Sequence, residues 1–580
     1  MKIPFFCSYI PTALLEALGH ELADISLFTE ETCGLEYSCA LHENLCSYAK
    51  YLFRKILMDG KGFDFAIVPN TCDAMKKLHD SLTLSGQIPS FLLDIPRRTG
   101  RESAVYLAAQ YKSLLETIAP GFDPGELLAR LAALPACRPS PIGQASGRDG
   151  EKWPLLIGVV GSSYAPSPFR TILARYRAGT VFLRHCGYGT VPSPPEETAA
   201  SLDEQLLRTA RNSLQNTLCP RSDRGRMTEF LLAEIRTRKL VGLIFSTLKF
   251  CDFYAFEFER VRKRMPDPFP LLYLENDLSV ANNEQNRTRI EAFLEKIHAG
   301  TKGETMRRFP VSLKSHGDIA IGLDIGSTTT KGILMKDGRE ILSRVILPTS
   351  INMRDGAEEA VRALLSGGKM ERPDASQMVL TGYGRTAFPE RAQITEITCH
   401  ALGVHFLRPA GATVIDVGGQ DSKSIRIDET GQVLRFAMND KCAAGTGRFL
   451  ESMVKRLGIT FDEFSALSVR APEATPISSM CSVFAESEVV SLMARGVPAA
   501  NIARGLNAAV AGRVRGLVQK IQGQAPFILT GGLSLNAGFV RELETALAAP
   551  IAVFPESQIA GAIGAALAAS GDLENHGKDR

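Results

Sequence analysis

Leu323-Asp324-Ile325-Gly326-Ser327-Thr328-Thr329-Thr330-Lys331 recurs in its chemistry as Ile415-Asp416-Val417-Gly418-Gly419-Gln420-Asp421-Ser422-Lys423, 92 residues later. In the first copy Ile319, Ile321, Leu323 and Ile325 alternate as a strand requires. Each copy runs on into a second strand, a turn at Gly338 or Gly431, and a third strand. A later pair also matches: Met378-Val379-Leu380-Thr381-Gly382 and Phe527-Ile528-Leu529-Thr530-Gly531, 149 residues apart. The second copy is therefore longer by 57 residues, and Cys442 and Cys481 lie in that longer stretch. An internal duplication of this kind is read before anything else, because it sets the architecture. The expectation is a duplicated α/β unit whose second copy has gained an insert.

An aspartate ending a strand, followed by Gly and hydroxyl residues, suits Mg-nucleotide chemistry. Gly326 lets the chain turn tightly, and Ser327, Thr328, Thr329 and Thr330 offer N–H and hydroxyl donors to phosphate oxygens. Lys331 adds a point charge. Gly418, Gly419, Gln420 and Asp421 are the counterparts in the second copy. Asp324 and Asp416 are expected to face each other across a cleft, holding Mg²⁺ through water and positioning the attacking water. Thr530, Gly531, Gly532 and Asn536 would let the backbone approach adenosine. No Gly-x-x-x-x-Gly-Lys-Ser/Thr string occurs, which excludes a P-loop. The layout resembles the actin–Hsp70–sugar-kinase ATPase fold, and that resemblance implies ATP.

The rest of the chain is ordinary by composition: 580 residues, 45% hydrophobic, 22% charged and a net charge of +3. Nothing there recruits nucleic acid or an acidic membrane, and no apolar run reaches the roughly 18–20 residues of a bilayer span. The start, Met1-Lys2-Ile3-Pro4, lacks a signal-peptide layout, so the expected location is the cytoplasm. Twelve cysteines there should not be disulfides. Cys-x-x-Cys is absent, so zinc-ribbon and thioredoxin readings lose their support. Buried thiols and widely spaced cluster ligands remain.

Four short strings repeat in order along the N-terminal half. Cys7-Ser8-Tyr9-Ile10-Pro11 is echoed by Ser162-Ser163-Tyr164-Ala165-Pro166, and the segment ending Cys33-Gly34 by that ending Cys186-Gly187. Leu45-Cys46 is echoed by Leu218-Cys219, and Thr71-Cys72-Asp73 by Phe250-Cys251-Asp252. Two α/β lobes with parallel sheets are expected, presenting Cys33, Cys46 and Cys72 from one lobe and Cys186, Cys219 and Cys251 from the other to one cleft. One three-ligand cubane needs one set, and a double cubane needs two. Cys7 could replace Cys33. The expected domains are cysteine-rich lobes at 1–150 and 151–300, a linker at 301–317, an ATPase domain at 318–570 and a polar tail at 571–580.

Cys442 and Cys481 each precede a helix-like run, where the dipole stabilises a thiolate. Two cysteines cannot hold a four-iron cubane, which takes four. A twofold axis would supply the other two from a second chain, making a homodimer bridged by the cluster.

Residues 318–570 resemble the ATP-dependent activators of 2-hydroxyacyl-CoA dehydratases and the ATPase subunits of benzoyl-CoA reductase. The carrying strings are Gly322–Lys331, Thr381-Gly382-Tyr383-Gly384-Arg385, Glu396-Ile397-Thr398-Cys399-His400-Ala401, Asp416–Lys423 and the two cysteine segments. The resemblance implies a homodimer with one bridging [4Fe–4S] cluster on Cys442 and Cys481, with ATP rearranging the ligand helices, and leaves Cys399 as a buried thiol. Residues 1–300 resemble the cluster subunits of the same dehydratases and the double-cubane cluster proteins, which implies a second [4Fe–4S] or double-cubane cluster. The function expected is ATP-driven electron transfer, with ferredoxin or flavodoxin as donor and a small or acyl-CoA substrate. The alternatives are an activator of a separate dehydratase or reductase client with the N-terminal half as docking module, a small-molecule kinase, and a regulatory ATP switch.

Overall fold

The computed structural model describes residues 1–25, 41, 45–57, 62–134, 145–146, 155–161, 172–173, 175–185, 199–217, 219, 225–266, 269–276, 283–300, 319–370, 377–439, 445–477 and 482–570. Cys33, Cys186, Cys442 and Cys481, the linker at 301–317 and the tail at 571–580 lie outside them. The chain divides into two units, Met1–Phe293 and Leu294–Arg580.

The C-terminal unit contains the same five-stranded sheet twice. In the first, Glu340–Pro348, Thr329–Lys336, Ile319–Ile325, Met378–Thr381 and Ala392–Gln393 lie side by side in that order. In the second the order is Val433–Asn439, Ser422–Ile427, Ala412–Val417, Phe527–Thr530 and Ile551–Ala552. Both have two antiparallel pairings followed by two parallel ones. Register is conserved as well. Asp324 stands opposite Lys331 on one side and Thr381 on the other, and Asp416 opposite Lys423 and Thr530. This is the duplicated actin–Hsp70–sugar-kinase form. Parallel strands Met378–Thr381, Ala412–Val417 and Phe527–Thr530 are buried at every residue, as when helices cover both faces of a sheet. Helices Glu396–Leu407 and Ala560–Ser570 cross so closely that a Cβ at Gly403 would stand 1.9 Å from Ala560 O, and one at Gly564 1.8 Å from Cys399 O. Their glycines and alanines are what permit that contact.

The N-terminal unit is α/β in both lobes. The second lobe carries a five-stranded sheet in which Ala178–His185, Leu155–Gly161, Gly242–Leu248 and Leu271–Asn276 are parallel. In the first lobe the described strands form two parallel pairs, Lys2–Phe5 with Glu21–Asp24 and Ala66–Pro69 with Ser90–Leu93. The pairs meet at Lys2, whose carbonyl accepts the Asp64 N–H at 3.0 Å. Among the described residues no helix is long and apolar enough to cross a membrane.

Candidate functional site

Each aspartate of the duplicated strand ends in the same local circuit. Lys331 Nζ lies 3.2 Å from Asp324 Oδ2, and Lys423 Nζ lies 3.2 Å from Asp416 Oδ2. Antiparallel pairing at an offset of seven residues puts lysine and aspartate on directly facing positions, so the ion pair follows from register. The strand after the parallel crossover contributes Thr530, whose hydroxyl donates to Asp416 Oδ1 at 3.1 Å. Past Thr381 and Thr530 the chain turns at Gly382 and Gly531, with φ of +82° and +83°. A Cβ there would come within 2.5 Å of Asp324 Oδ1 and 2.7 Å of Asp416 Oδ1. Only glycine satisfies both the left-handed backbone and that closeness.

The phosphate-loop residues fall on two facing turns. Gly326 N–H donates to Thr329 O at 3.1 Å and Gly418 N–H to Asp421 O at 3.0 Å. Ser327, Thr328 and Gln420 are exposed. A Cβ on Gly419 would stand 2.6 Å from Thr328 Oγ1, so the two turns approach one another across the cleft. Thr330 is buried instead and shares a hydrogen bond with Thr349 at 3.1 Å. Gly532 faces open space. Asn536 is fully buried: its carbonyl oxygen caps helix Ala537–Leu547 by accepting from Phe539 N–H at 3.0 Å, and its amide donates to Asn507 at 3.1 Å. The structure therefore places Asn536 as a helix cap, a role that Asn fills well.

Three further residues complete the cleft, and the sequence reading gave none of them a role there. Glu396 opens helix Glu396–Leu407 and pairs with Lys423 at 3.1 Å. His400, one turn on, has Nδ1 3.1 Å from Thr530 Oγ1 and Nε2 3.6 Å from Asp416 Oδ1. Lys423 is enclosed by Glu396, Asp416 and Asp421, the last at 2.8 Å. The i, i+4 spacing of Glu396 and His400 was the available signal, because it puts both on one helical face.

The electrostatics follow from this crowding. Burial works against the Asp416 carboxylate, but His400, Lys423 and Lys331 outweigh it and hold its pKa well below the usual range. Burial likewise opposes charge on Lys331, yet Asp324 and Asp416 together raise its pKa. One lysine feeling both aspartates shows that the two halves of the duplication converge. Burial depresses His400, against the pull of Asp416 and Asp324. Burial pushes the Glu396 carboxyl up to about 7, with Lys423 pulling down and Asp421 adding to the rise. With Glu396 ionised, four carboxylates face the Lys331 and Lys423 ammonium groups and the buried Arg385 guanidinium, leaving an excess of negative charge that a divalent cation would offset. This donor set fits Mg²⁺ held through water. Among the described residues no three acidic, Cys or His side chains close on a single ion directly.

Because Glu396 titrates higher folded than unfolded, its contribution to stability is fully present below about 4.5 and is lost as pH rises through about 7. Glu396→Gln should abolish that fall. Urea midpoints at pH 5 and 7.5 should show the wild type losing about 1–3 kcal/mol more than the variant across this window.

The N-terminal unit brings a second set together. Cys46 immediately precedes helix Ser47–Leu57, Cys72 caps helix Asp73–Ser85 and Cys251 caps helix Asp252–Arg264. Burial pushes the Cys46 thiol up to about 12, Cys251 and Cys72 adding to the rise, while the Tyr48 and Ala49 N–H groups oppose it. Burial also raises Cys72; the Met75 and Ala74 N–H groups oppose this, and Cys219 adds to it. Mutual repulsion thus links Cys46, Cys72, Cys251 and Cys219. Cys7 packs against the same core as Cys46, Cys72 and Cys251. Three of these thiols stand at helix N-termini, where the dipole favours negative charge, though among the described residues no three Cys, His or acidic side chains close on one ion. Cys399 is fully buried, and burial raises its pKa, as befits a core thiol.

Known proteins divide the chain at the same place. Residues 321–569 match the BadF/BadG/BcrA/BcrD ATPase family. Residues 7–122 and 130–297 match the family described as 2-hydroxyglutaryl-CoA dehydratase, D-component. The activator of lactoyl-CoA dehydratase from Anaerotignum propionicum is 43% identical over 248 residues, 43% of this chain and 95% of the relative. The (R)-2-hydroxyglutaryl-CoA dehydratase activating ATPase of Acidaminococcus fermentans is 39% identical, again over 43% of this chain and 95% of its own length. The solved activator of 2-hydroxyisocaproyl-CoA dehydratase from Clostridium difficile, with bound ADPNP, is 39% identical over 44% of this chain and 95% of its own, with a TM-score of 0.42. The C-terminal half of this chain thus spans nearly the whole of these activators, and the chain belongs to the BadF/BadG/BcrA/BcrD ATPase family.

Proposed function

We propose that this protein hydrolyses ATP in the cleft between Asp324 and Asp416 to drive low-potential electron transfer toward a thiolate-bound iron–sulfur cluster in its own N-terminal half. The observation that carries this reading is a pair of hydrogen bonds. Gly447 N–H donates to Gly418 O, and Arg448 N–H to Gly419 O, each at 2.9 Å. These donors are the first turn of helix Gly447–Leu457, the helix that follows Cys442. Ser422 Oγ donates to Gly445 O at 2.9 Å in the same place. A phosphate drawing on the Gly418–Asp421 turn would therefore act on the first turn of helix Gly447–Leu457, which follows Cys442 in the sequence.

In this reading Asp324 and Asp416 hold Mg²⁺ through water and orient the attacking water, while Lys331 and Lys423 offset the charge of the phosphates. Ser327, Thr328 and the loop N–H groups bind phosphate oxygens. His400 and Thr530 fix the orientation of the Asp416 carboxylate. Cys442 and Cys481 would hold one [4Fe–4S] cluster with their counterparts in a second copy of the chain, and Cys46, Cys72, Cys219 and Cys251 another, with Cys7, Cys33 and Cys186 as further ligands if two cubanes are held. Such clusters supply one-electron chemistry at low potential. Domain 318–570 is the motor, a ferredoxin or flavodoxin the donor and a small or acyl-CoA molecule the substrate. The relatives are named as activators of dehydratases, and here a dehydratase-like region precedes the motor in one chain, which favours an acceptor in cis over a separate client.

Anaerobic purification with iron counting, ATP turnover and EPR of the dithionite-reduced protein tests this. The expected result is a brown, iron-containing protein that turns over ATP and whose reduced-state EPR signal is redistributed on adding ATP, the electron leaving one cluster for the other. A colourless, iron-free protein from strictly anaerobic handling would sink the reading.

A further inference from the structure

Helix Asn283–Gly300 ends inside the C-terminal unit, which begins at Leu294. There Glu295 is buried and its carboxylate accepts from the neighbouring helix: from Thr395 N–H at 3.1 Å, from Thr395 Oγ1 at 2.6 Å and from the Thr398 hydroxyl. Thr395 is the N-cap of helix Glu396–Leu407, and its hydroxyl also accepts from Thr398 N–H at 3.4 Å. The next residue, Lys296, donates to Leu434 O at 2.5 Å. A carboxylate at the first turn of a helix is favoured by the orphan N–H groups and the dipole, and hydrogen bonds to a charged acceptor are the strong ones. Removing this acceptor would leave buried donors unsatisfied.

The capped helix is the one that carries Glu396 to Lys423 and His400 to Thr530. A small axial or rotational shift would move both at once, since they share a face. Glu295 lies within the residues matched to the dehydratase component, 130–297, and outside the ATPase match, 321–569. The activator relatives are 95% covered by about 250 residues of this chain.

We propose that Glu295 is a positioning residue for the nucleotide cleft, contributed by the dehydratase-like stretch: its buried pairing with Thr395 and Thr398 sets the depth and rotation of helix Glu396–Leu407. ATP turnover is thereby tied to a residue from outside the ATPase match. The proposal rests on reading the cleft as an ATP site.

The test uses the full chain with Glu295→Gln, Glu295→Ala and Thr398→Ala, reading melting temperature, ADP affinity, and the kcat and KM of ATP hydrolysis. Glu295→Gln is expected to melt within a few degrees of wild type and to keep KM within about threefold, while kcat falls about tenfold. Thr398→Ala, which breaks the same pairing from the other side, should lower kcat in the same sense, and the double variant should show less than the summed effect. A folded Glu295→Gln with wild-type kcat overturns the proposal, as does a variant that loses only melting temperature. Should both Glu295 variants fail to fold, Thr398→Ala decides by the same criteria. A wild-type chain that binds no ADP and turns over no ATP overturns instead the reading of the cleft on which the proposal rests.

Discussion

Asp416→Asn is expected to lower ATP turnover by on the order of 10²–10³-fold, the loss typical when one preorganised electrostatic group is removed from a catalytic site. Asparagine keeps the shape of the side chain, so the strand, the Lys423 position and the Gly531 turn should survive. What disappears is a charge that the site maintains. Burial alone would protonate this carboxyl, and His400, Lys423 and Lys331 hold it ionised against that tendency. Without it Lys423 is shared by Glu396 and Asp421 alone, and the excess negative charge of the cleft falls. Phosphate contacts from the Gly326–Thr329 and Gly418–Asp421 turns come from other groups, so kcat should move far more than KM. Steady-state phosphate release checks this, and a kcat within about threefold of wild type would remove Asp416 from the chemistry.

Replacing Cys46 and Cys251 together by alanine is expected to remove about four irons per chain, the content of one cubane, while ATP hydrolysis by the C-terminal unit persists. These two thiols stand at the N-termini of helices from different lobes, and Cys251 adds to the rise that burial imposes on Cys46. Both thiols pack against the first-lobe core, so a melting curve of the double variant separates a packing loss from the loss of metal. Anaerobic iron analysis and EPR of the double variant give the readout. An unchanged iron content would assign the N-terminal half a docking role and place all the metal elsewhere.

Much of the C-terminal unit was legible because duplication leaves a double imprint. Asp324–Lys331 and Asp416–Lys423 share a seven-residue offset, and an antiparallel hairpin turns that offset into an ion pair. The Thr-Gly endings of two later strands were readable for the same reason. The side-chain role of Asn536 as N-cap of helix Ala537–Leu547 went unread, although an Asn just before an Ala-Gly-Phe helix start is an N-cap signal. In the N-terminal half the repeated strings pointed to α/β structure with parallel strands, which the pairings bear out, but not to the separate pairs Lys2–Phe5 with Glu21–Asp24 and Ala66–Pro69 with Ser90–Leu93.

What the sequence determined by itself is the set of local rules: strand periodicity, turn glycines, cysteines at helix starts and the repeat that relates them. These depend on neighbours within a few residues. Only the tertiary structure decided that Glu295 meets Thr395, that Glu396 meets Lys423 and His400 meets Asp416, that Lys331 feels Asp416, and that Cys46 feels Cys72 and Cys251. Those groups lie tens to hundreds of positions apart, and their interaction depends on charge, burial and distance in three dimensions. No residue pattern encodes that until helices and sheets have packed and excluded water.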